Sequence, residues 1–309
     1  MSSPPYTIRN YQPKDFDKYV LLNIEAEKLE PAGRCTSLQV ITEHLGRPNY
    51  VPEQDLFIVE MAENTLGYID VTSELHIGRV VLDYWVHPEH RGRNLATQLF
   101  HYALRRATEL GVKVAHINVP QDNIAVKTLL SRLGFSLIRR FLELRLDITD
   151  VRWPDINQAA LECHYLQRGE EDKLTQIQNR AFIGSWGYNP NTVEEIIYHT
   201  NLSTCSLEDI VLIHEGDKVI GYCWTGIACE GGATSKKEGR IFMLGVGPDY
   251  RGKGAAKKVL LAGLAHLKSK SLQAIELTVD SENKVARALY ESIGFRIRTS
   301  SLWYEKVVS

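Results

Sequence analysis

Short apolar stretches alternate along the chain with segments whose apolar residues recur every three or four positions. The runs at 80–86 and 114–119 are typical of strands, while Leu95, Leu99 and Ala103 lie on one face of a predicted helix. Strands that alternate with helices in this way predict an α/β (α+β) fold. In each copy of the pattern we expect a mixed, mostly antiparallel sheet flanked by helices.

The pattern occurs twice along the chain. Residues 86–93 (VHPEHRGR) are similar to residues 246–253 (VGPDYRGK), and Asn123 has its counterpart in Asn283, 160 residues later. Because both matches have the same spacing, the segment between them has kept its length in the two copies.

The length of 309 residues fits two domains of about 150 residues each. We therefore predict an N-terminal domain at 1–150 and a C-terminal domain at 159–309, separated by a polar segment that contains a proline.

Composition excludes several classes of protein. The formal net charge is −2, so no basic excess indicates binding to nucleic acid or to a membrane surface. Five cysteines include no C-x-x-C pair, and we expect buried or incidental thiols rather than a disulfide framework. The first residues lack the features of a signal peptide, and the longest aliphatic run is far shorter than a membrane span. We expect a cytoplasmic monomer or dimer.

The segment 251–256 (RGKGAA) joins an apolar strand to an amphipathic helix. Glycines allow a tight turn with exposed backbone N–H groups, and a helix N-terminus attracts anions. The segment is therefore either a binding loop for a phosphate-bearing ligand or a glycine-rich surface turn. It is not a complete P-loop, because Gly254 stands where Ser or Thr is required. Nor is it a dinucleotide-binding fingerprint, because Lys257 replaces the third glycine.

Two motifs together resemble the GNAT N-acetyltransferase family. Arg251, Gly254 and Ala256 are similar to the family's R/Q-x-x-G-x-G/A signature, and residues 283–295 (NKVARALYESIGF) resemble its second signature. Both motifs recur in the first copy, so the resemblance covers nearly the whole chain as two tandem GNAT domains. It implies transfer of an acetyl group from acetyl-CoA to an amine of a small molecule or peptide by direct attack, without a metal. The alternative is a non-catalytic, acetyl-CoA-binding regulatory module.

The resemblance also implies where CoA binds. Its pyrophosphate is expected on the loop at 251–256, and the preceding strand is expected to part from its neighbour near residues 244–246. There, backbone amides hold the pantetheine and the thioester carbonyl. The CoA-binding residues expected in the second copy are Leu244, Gly245, Val246, Arg251, Gly252, Lys253, Gly254, Ala255, Ala256 and Asn283. A second CoA site in the first copy would use Trp85, Val86, Arg91, Gly92, Arg93, Asn94, Leu95, Ala96 and Asn123.

The two copies differ at the position of the expected general acid. Tyr290 lies seven residues after Asn283, close to two helical turns, so both lie on one side of a helix. A phenol can protonate a departing thiolate of lower pKa, which suits Tyr290 as general acid, although a packing tyrosine is the alternative. The first copy has Leu130 at that position and Asn94 in place of the central loop glycine. We therefore predict that the N-terminal domain is not catalytic.

The general base is less clearly marked. Many GNAT enzymes carry a glutamate six residues before the position of Val246, where this chain has Arg240. Glu238 and Glu276 are the candidates that we retain, and a water chain to bulk solvent is the alternative. His87 and His90 share one loop without a third strong ligand, so we expect no metal there.

Overall fold

The computed structural model describes residues 6–33, 35–148, 163–227 and 238–308. The chain forms two compact units. The first consists of Met1–Arg140 together with Ser301–Ser309, and the second of Phe141–Ser300.

The first unit is built on a mixed sheet. Its strands, in spatial order, are β1 (Tyr6–Asn10), β2 (Leu56–Met61), β3 (Asn64–Glu74), β4 (Arg79–Val86), β5 (Val114–Pro120) and the last part of β12 (Arg296–Val307). Strands β4 and β5 are parallel and the other neighbours are antiparallel. The helices are α1 (Phe16–Leu29), α2 (Leu38–Leu45), α3 (Pro52–Asp55), α4 (Leu95–Glu109) and α5 (Ile124–Arg132).

The second unit repeats this arrangement. Its strands, in spatial order, are the last part of β6 (Ser136–Asp147), then β11 (Ala274–Asp280), β10 (Glu238–Val246), β9 (Lys218–Ile227), β8 (Ile210–Glu215) and β7 (His164–Tyr165). Only the β10–β11 pair of these is parallel. The helices are α6 (Glu171–Phe182), α7 (Val193–Thr200), α8 (Ala255–Lys268) and α9 (Lys284–Ile293). The predicted mixed, mostly antiparallel sheets flanked by helices are confirmed.

Helix α8 covers one face of the second sheet. Its residues Val259, Leu260 and Leu264 recur at helical spacing and are fully buried in one cluster with Ile275 and Leu277 of β11. Helix α4 covers the first sheet with the same spacing. The largest apolar cluster of each unit lies between this helix and the sheet.

The last strand of each repeat ends in the sheet of the other repeat. Strand β6 follows the first repeat along the chain, yet from Phe141 onward it pairs with β11. Strand β12 follows the second repeat, and from Ser301 onward it pairs with β5. The two units therefore do not coincide with the predicted domains at 1–150 and 159–309. They differ in these last strands, because a strand belongs to the sheet with which it pairs. The expected linker at 149–158 lies outside the described residues.

Two further expectations concern cysteines and membranes. Cys163, Cys205 and Cys223 are free thiols, as expected, but Cys35 is disulfide-bonded, so the expectation of thiols alone is wrong for Cys35. Cys229 lies outside the described residues. Across the described part of the chain, no helix has the length and apolar character to cross a membrane.

Candidate active site

The parallel strands β10 and β11 separate before they end. Their paired positions stop at Ile241 and Leu277, whereas β10 continues to Val246 and β11 to Asp280. A β-bulge interrupts the pairing of β10 with β9 at the same height, which bends the strand locally. The backbone of residues 244–246 therefore faces an opening instead of a ladder partner in β11. The separation that the sequence motifs implied is present in the structure.

Strands β4 and β5 of the first unit separate in the same way. Their paired positions stop at Leu82 and Ile117, and β4 continues to Val86. Trp85 and Val86, which were expected beside a second CoA site, are both buried at the end of this strand. The opening is thus a property of the repeated fold and does not by itself distinguish the two units.

The loop after β10 has a conformation that glycine favours. Residues 251–254 are exposed, Gly252 has φ +74° and Gly254, the N-cap of α8, has φ +82°. A Cβ atom built on either glycine would meet no described atom within 4 Å. The space above the loop is therefore open, and the N-terminus of α8 can receive an anion there. Ala255 is buried and Ala256 half-buried, so their backbones anchor the first turn.

The corresponding loop of the first unit keeps this backbone shape. Gly92 has φ +75° and Asn94, the N-cap of α4, has φ +63°. Asparagine is one of the few residues that adopt this conformation readily, so the loop forms without its central glycine. The difference from Gly254 is the amide side chain that Asn94 adds at the helix N-terminus.

Arg251 supports the loop through backbone carbonyls. Its Nη2 donates to the carbonyl oxygen of Ala181 at 2.7 Å, and its Nε to that of Val246 at 3.4 Å. Lys253 lies with Nζ 5.6 Å from the ring centroid of Tyr250. Arg251 thus holds the loop against the end of β10 and the end of α6, while Lys253 keeps a positive charge at the exposed surface.

In the first unit the equivalent arginine is paired with a carboxylate. Arg91 Nε donates to the carbonyl oxygen of Val86 at 2.9 Å, and its Nη1 donates to Glu30 Oε1 at 2.8 Å. Trp85 Nε1 donates to Glu30 Oε2 at 2.7 Å. The hydrogen bonds from Arg91 lower the pKa of Glu30, so this carboxylate is charged at neutral pH. A negative charge beside this loop opposes the binding of a second anion.

Tyr290 is buried on α9. It is 7% exposed and makes a T-shaped contact with Phe295, with ring centroids 5.8 Å apart. Burial raises the pKa of Tyr290, so its hydroxyl stays protonated well above neutral pH. Leu130, the equivalent residue of the first unit, is fully buried and has no proton to give.

Asn283 and Asn123 act as N-caps, a role that was not predicted from the sequence. Asn283 Oδ1 accepts a hydrogen bond from the N–H of Ala286 at 3.1 Å, and Asn123 Oδ1 accepts one from Val126 at 3.1 Å. Each therefore fixes the start of its helix. The preference for Asn at N-caps was available in the sequence and explains the residue without a ligand. Binding of CoA by these two residues stays a prediction.

Glu238 and Glu276 lie in an ion-pair cluster at the closed end of the β10–β11 pair. Arg145 Nη1 is 2.6 Å from Glu238 Oε1 and 3.0 Å from Glu276 Oε1, and Arg298 also contacts Glu276. Both glutamates belong to the paired part of the strands, before Ile241. Both carboxylates therefore form ion pairs with Arg145. A role of either one as the general base stays a prediction.

A buried amide lies on the opposite face of β10 from α8. Gln178 of α6 is 2% exposed, and its Nε2 is 2.7 Å from the sulfur of Met243, beside the β-bulge. Its Oε1 is buried without a hydrogen-bond partner among the described residues. Buried polar atoms are nearly always paired, so this oxygen is an exception among the described side chains. Nothing in the sequence distinguished Gln178 from other polar helix residues.

Comparison with known proteins decides the family. A family model described as "Acetyltransferase (GNAT) family" matches residues 171–295, and one described as "Acetyltransferase (GNAT) domain" matches residues 6–136. The chain belongs to the GNAT acetyltransferase family. It is an N-acetyltransferase of tandem type, and acetyl-CoA is the acyl donor of this family.

Relatives of this GNAT protein share its two-domain length. It is 27% identical over 296 residues to a mycothiol acetyltransferase of Amycolatopsis mediterranei (strain U-32), covering 91% of this chain and 96% of that protein. A mycothiol acetyltransferase of Stackebrandtia nassauensis is 25% identical, with 91% and 93% covered.

Solved GNAT structures share the fold. The GCN5-related N-acetyltransferase from Sphaerobacter thermophilus has a TM-score of 0.70 and 19% identity, covering 99% of this chain and 97% of that one. A tandem GNAT protein from the clavulanic acid biosynthesis pathway has a TM-score of 0.71 and 13% identity, covering 99% of both chains. Identities this low support the fold alone.

Proposed function

We propose that acetyl transfer takes place in the second unit, in the opening between β10 and β11. The observation that carries this proposal is the combination, within one unit, of the opened strand, the uncovered glycine loop and Tyr290. The pyrophosphate of acetyl-CoA binds the backbone at 251–256, and the thioester lies along residues 244–246.

The reaction follows from these groups. The lone pair of the acceptor amine attacks the thioester carbonyl carbon, and backbone N–H groups of 244–246 stabilise the oxyanion that forms. The tetrahedral intermediate then collapses, and the C–S bond breaks. Tyr290 gives its proton to the departing thiolate, and the proton of the new ammonium leaves to solvent or to a carboxylate base.

The first unit is not catalytic in this proposal. It keeps the opening and the loop conformation, but Leu130 lacks a proton and Glu30 places a negative charge beside Arg91. Its role is binding or scaffolding. A second molecule of CoA, held at 91–96, would bind more weakly than the first.

The acceptor that we propose is a small-molecule amine, held on the α6 side of β10. Support comes from the unpaired Oε1 of Gln178 and from the stacked rings of Phe182 and Tyr188, whose centroids are 5.1 Å apart. The acceptor of the mycothiol acetyltransferases is the first compound to test. A cytoplasmic location, a monomeric or dimeric state and the lack of nucleic-acid and membrane partners stay predictions.

The test measures thiol release from acetyl-CoA with a panel of amines. Gly254→Val should abolish release, because a β-branched residue is strained at φ +82° and its side chain enters the open space above the loop. The matched variant of the first loop, Asn94→Val, should retain most of the activity. The reverse pattern would assign catalysis to the first unit. CoA binding without thiol release on any amine would favour the regulatory module.

A further inference from the structure

Three metal-ligating side chains lie together at the start of α6. His164, His214 and Glu170 each bring one ligand atom to within 4.8 Å of the other two. The rings of His164 and His214 have centroids 4.2 Å apart and are tilted by 39°. His164 Nε2 is 3.8 Å from Glu170 Oε2.

The fold brings these residues together. His164 on β7 is paired with Leu212 on β8, and His214 lies two residues further along β8. Residues two apart on a strand point to the same face, so the two imidazoles are diagonal neighbours across the pair. Glu170 is the N-cap residue of α6, and its Oε2 accepts a hydrogen bond from the N–H of Gln167 at 3.1 Å. Backbone pairing and a capping turn thus position all three side chains.

One nitrogen of this cluster has no structural explanation. His214 Nδ1 is buried and has no hydrogen-bond partner among the described residues. The ring of this histidine lies beside the ring of His164, and Glu170 offers a carboxylate oxygen close by. His214 thus has an unpaired nitrogen on a ring that lies beside a second imidazole and a carboxylate.

Two other groups of possible metal ligands differ from this one. In the loop that carries His87 and His90, His87 Nδ1 accepts from the N–H of Glu89 at 3.3 Å, and His90 Nδ1 is 3.1 Å from the hydroxyl of Tyr6. Both histidines therefore have local partners. Cys163 precedes His164 but packs against the apolar core beneath α8, and it does not belong to the group of three ligand atoms. It is not a ligand of the same site.

We propose that His164, His214 and Glu170 bind one divalent transition-metal ion, and that Zn²⁺ is the ion this site takes. Two imidazole nitrogens and one carboxylate oxygen are an established Zn²⁺ ligand set, with water in the fourth position. Zn²⁺ binds nitrogen at about 2.0–2.1 Å, so the side chains must close in by rotation. Glu170 Oε2 retains a lone pair beside its bond to Gln167, which leaves it able to coordinate.

The ion would act on the structure and not on acetyl transfer. Strand β7 has two residues and forms the edge of the sheet, and a shared ion ties it and β8 to the start of α6. Binding to the folded state alone stabilises that state. The inference is independent of the proposed function, because it concerns the opposite end of α6 from Ala181 and the phosphate loop.

The test uses the whole protein, stripped of metal with a chelator and titrated with Zn²⁺ alone by calorimetry. We expect one saturable site per chain. His164→Ala and His214→Ala should each weaken it at least about 10-fold, since even outer-shell partners of metal ligands are commonly worth 10- to 100-fold. His164 is exposed on the edge strand, so its variant should fold, which circular dichroism checks. The double variant His87→Ala/His90→Ala is the matched control and should bind as the wild type does.

A substitution of Lys173 should strengthen Zn²⁺ binding instead of weakening it. Its Nζ lies 3.0 Å from Glu170 Oε1 and competes with the ion for that carboxylate. Lys173→Met should therefore strengthen Zn²⁺ binding, and Zn²⁺ should raise the Tm of this variant more than that of the wild type. The proposal would be overturned if the wild type showed no saturable Zn²⁺ binding, or if His164→Ala and His214→Ala bound Zn²⁺ as tightly as the wild type.

Discussion

Replacing Tyr290 with phenylalanine removes the proposed proton donor and little else. The ring is 7% exposed and packs against Phe295 through carbon atoms, a contact that Tyr290→Phe retains. Among the described residues none forms a hydrogen bond with the Tyr290 hydroxyl, so the substitution leaves no polar group without its partner. We expect the free energy of unfolding to change by less than about 1 kcal/mol.

The effect on turnover should be much larger. Positioned proton transfer contributes 10²- to 10⁴-fold, and loss of the hydroxyl should lower kcat by about 10²-fold, or about 2.7 kcal/mol in the barrier. The same factor should appear in kcat/KM, because the proton is transferred in the transition state. The assay is thiol release under saturating acetyl-CoA, with the acetyl-CoA Kd measured separately by calorimetry and expected to stay near the wild-type value.

A second variant and a second acyl donor distinguish proton donation by Tyr290 from a packing role. Tyr290→Leu copies Leu130 of the first unit and should lose the same factor in kcat while also losing stability, because the ring leaves a cavity. An acetyl thioester of a more acidic thiol should narrow the gap between wild type and Tyr290→Phe, since its thiolate needs less help to depart. Wild-type kcat in Tyr290→Phe would make Tyr290 a packing residue and leave thiolate protonation to water.

Three other perturbations have expected outcomes. Gly254→Asn copies Asn94 of the first loop, so the variant should fold. Acetyl-CoA binding, measured by calorimetry, should weaken by about 10-fold, because the added side chain should cost roughly one charge-assisted hydrogen bond to phosphate. A pH–rate profile of kcat should show no fall below about pH 10, the ordinary pKa of tyrosine, because burial raises the pKa of Tyr290; an alkaline limb below that pH would contradict its role. Asp209→Ala removes contacts to His266 Nε2 (2.9 Å) and to the N–H of Ser206 (3.0 Å), and it should lower the free energy of unfolding in urea by about 2–4 kcal/mol. The control Glu208→Ala changes an exposed residue and should lower it by less than about 0.5 kcal/mol.

Local sequence features predicted the backbone of the loop and of the strand before it better than they predicted the partners of the edge strands. The glycines at 252 and 254 adopt positive φ, as a tight strand-to-helix turn requires, and the strand before them opens where the motifs implied. These features depend on a few neighbouring residues, which the sequence displays directly. Asn94 could be interpreted in the same way, because its tolerance of positive φ is intrinsic to asparagine.

Long-range partners could not be predicted in this way. Glu238 and Glu276 were candidate bases on sequence, and the structure pairs both with Arg145 of β6, a strand that follows the first repeat. The unpaired oxygen of Gln178 depends likewise on packing against Met243, 65 residues away. Periodicity assigns a residue to a face of an element but contains no information on which distant side chain meets it there.

The placement of β12 has a consequence for how the chain folds. One neighbour of β5 is supplied by Ser301–Val307, so the sheet of the first unit is completed only after the whole second repeat has been synthesised. His116 and Glu305, which meet at 2.8 Å, are 189 positions apart. Closing a loop of that length is entropically costly and slow. During synthesis β5 would remain an unprotected edge strand, which can pair with other chains, until residues 301–307 are available. Nascent chains stalled before residue 301 should therefore depend most heavily on chaperones.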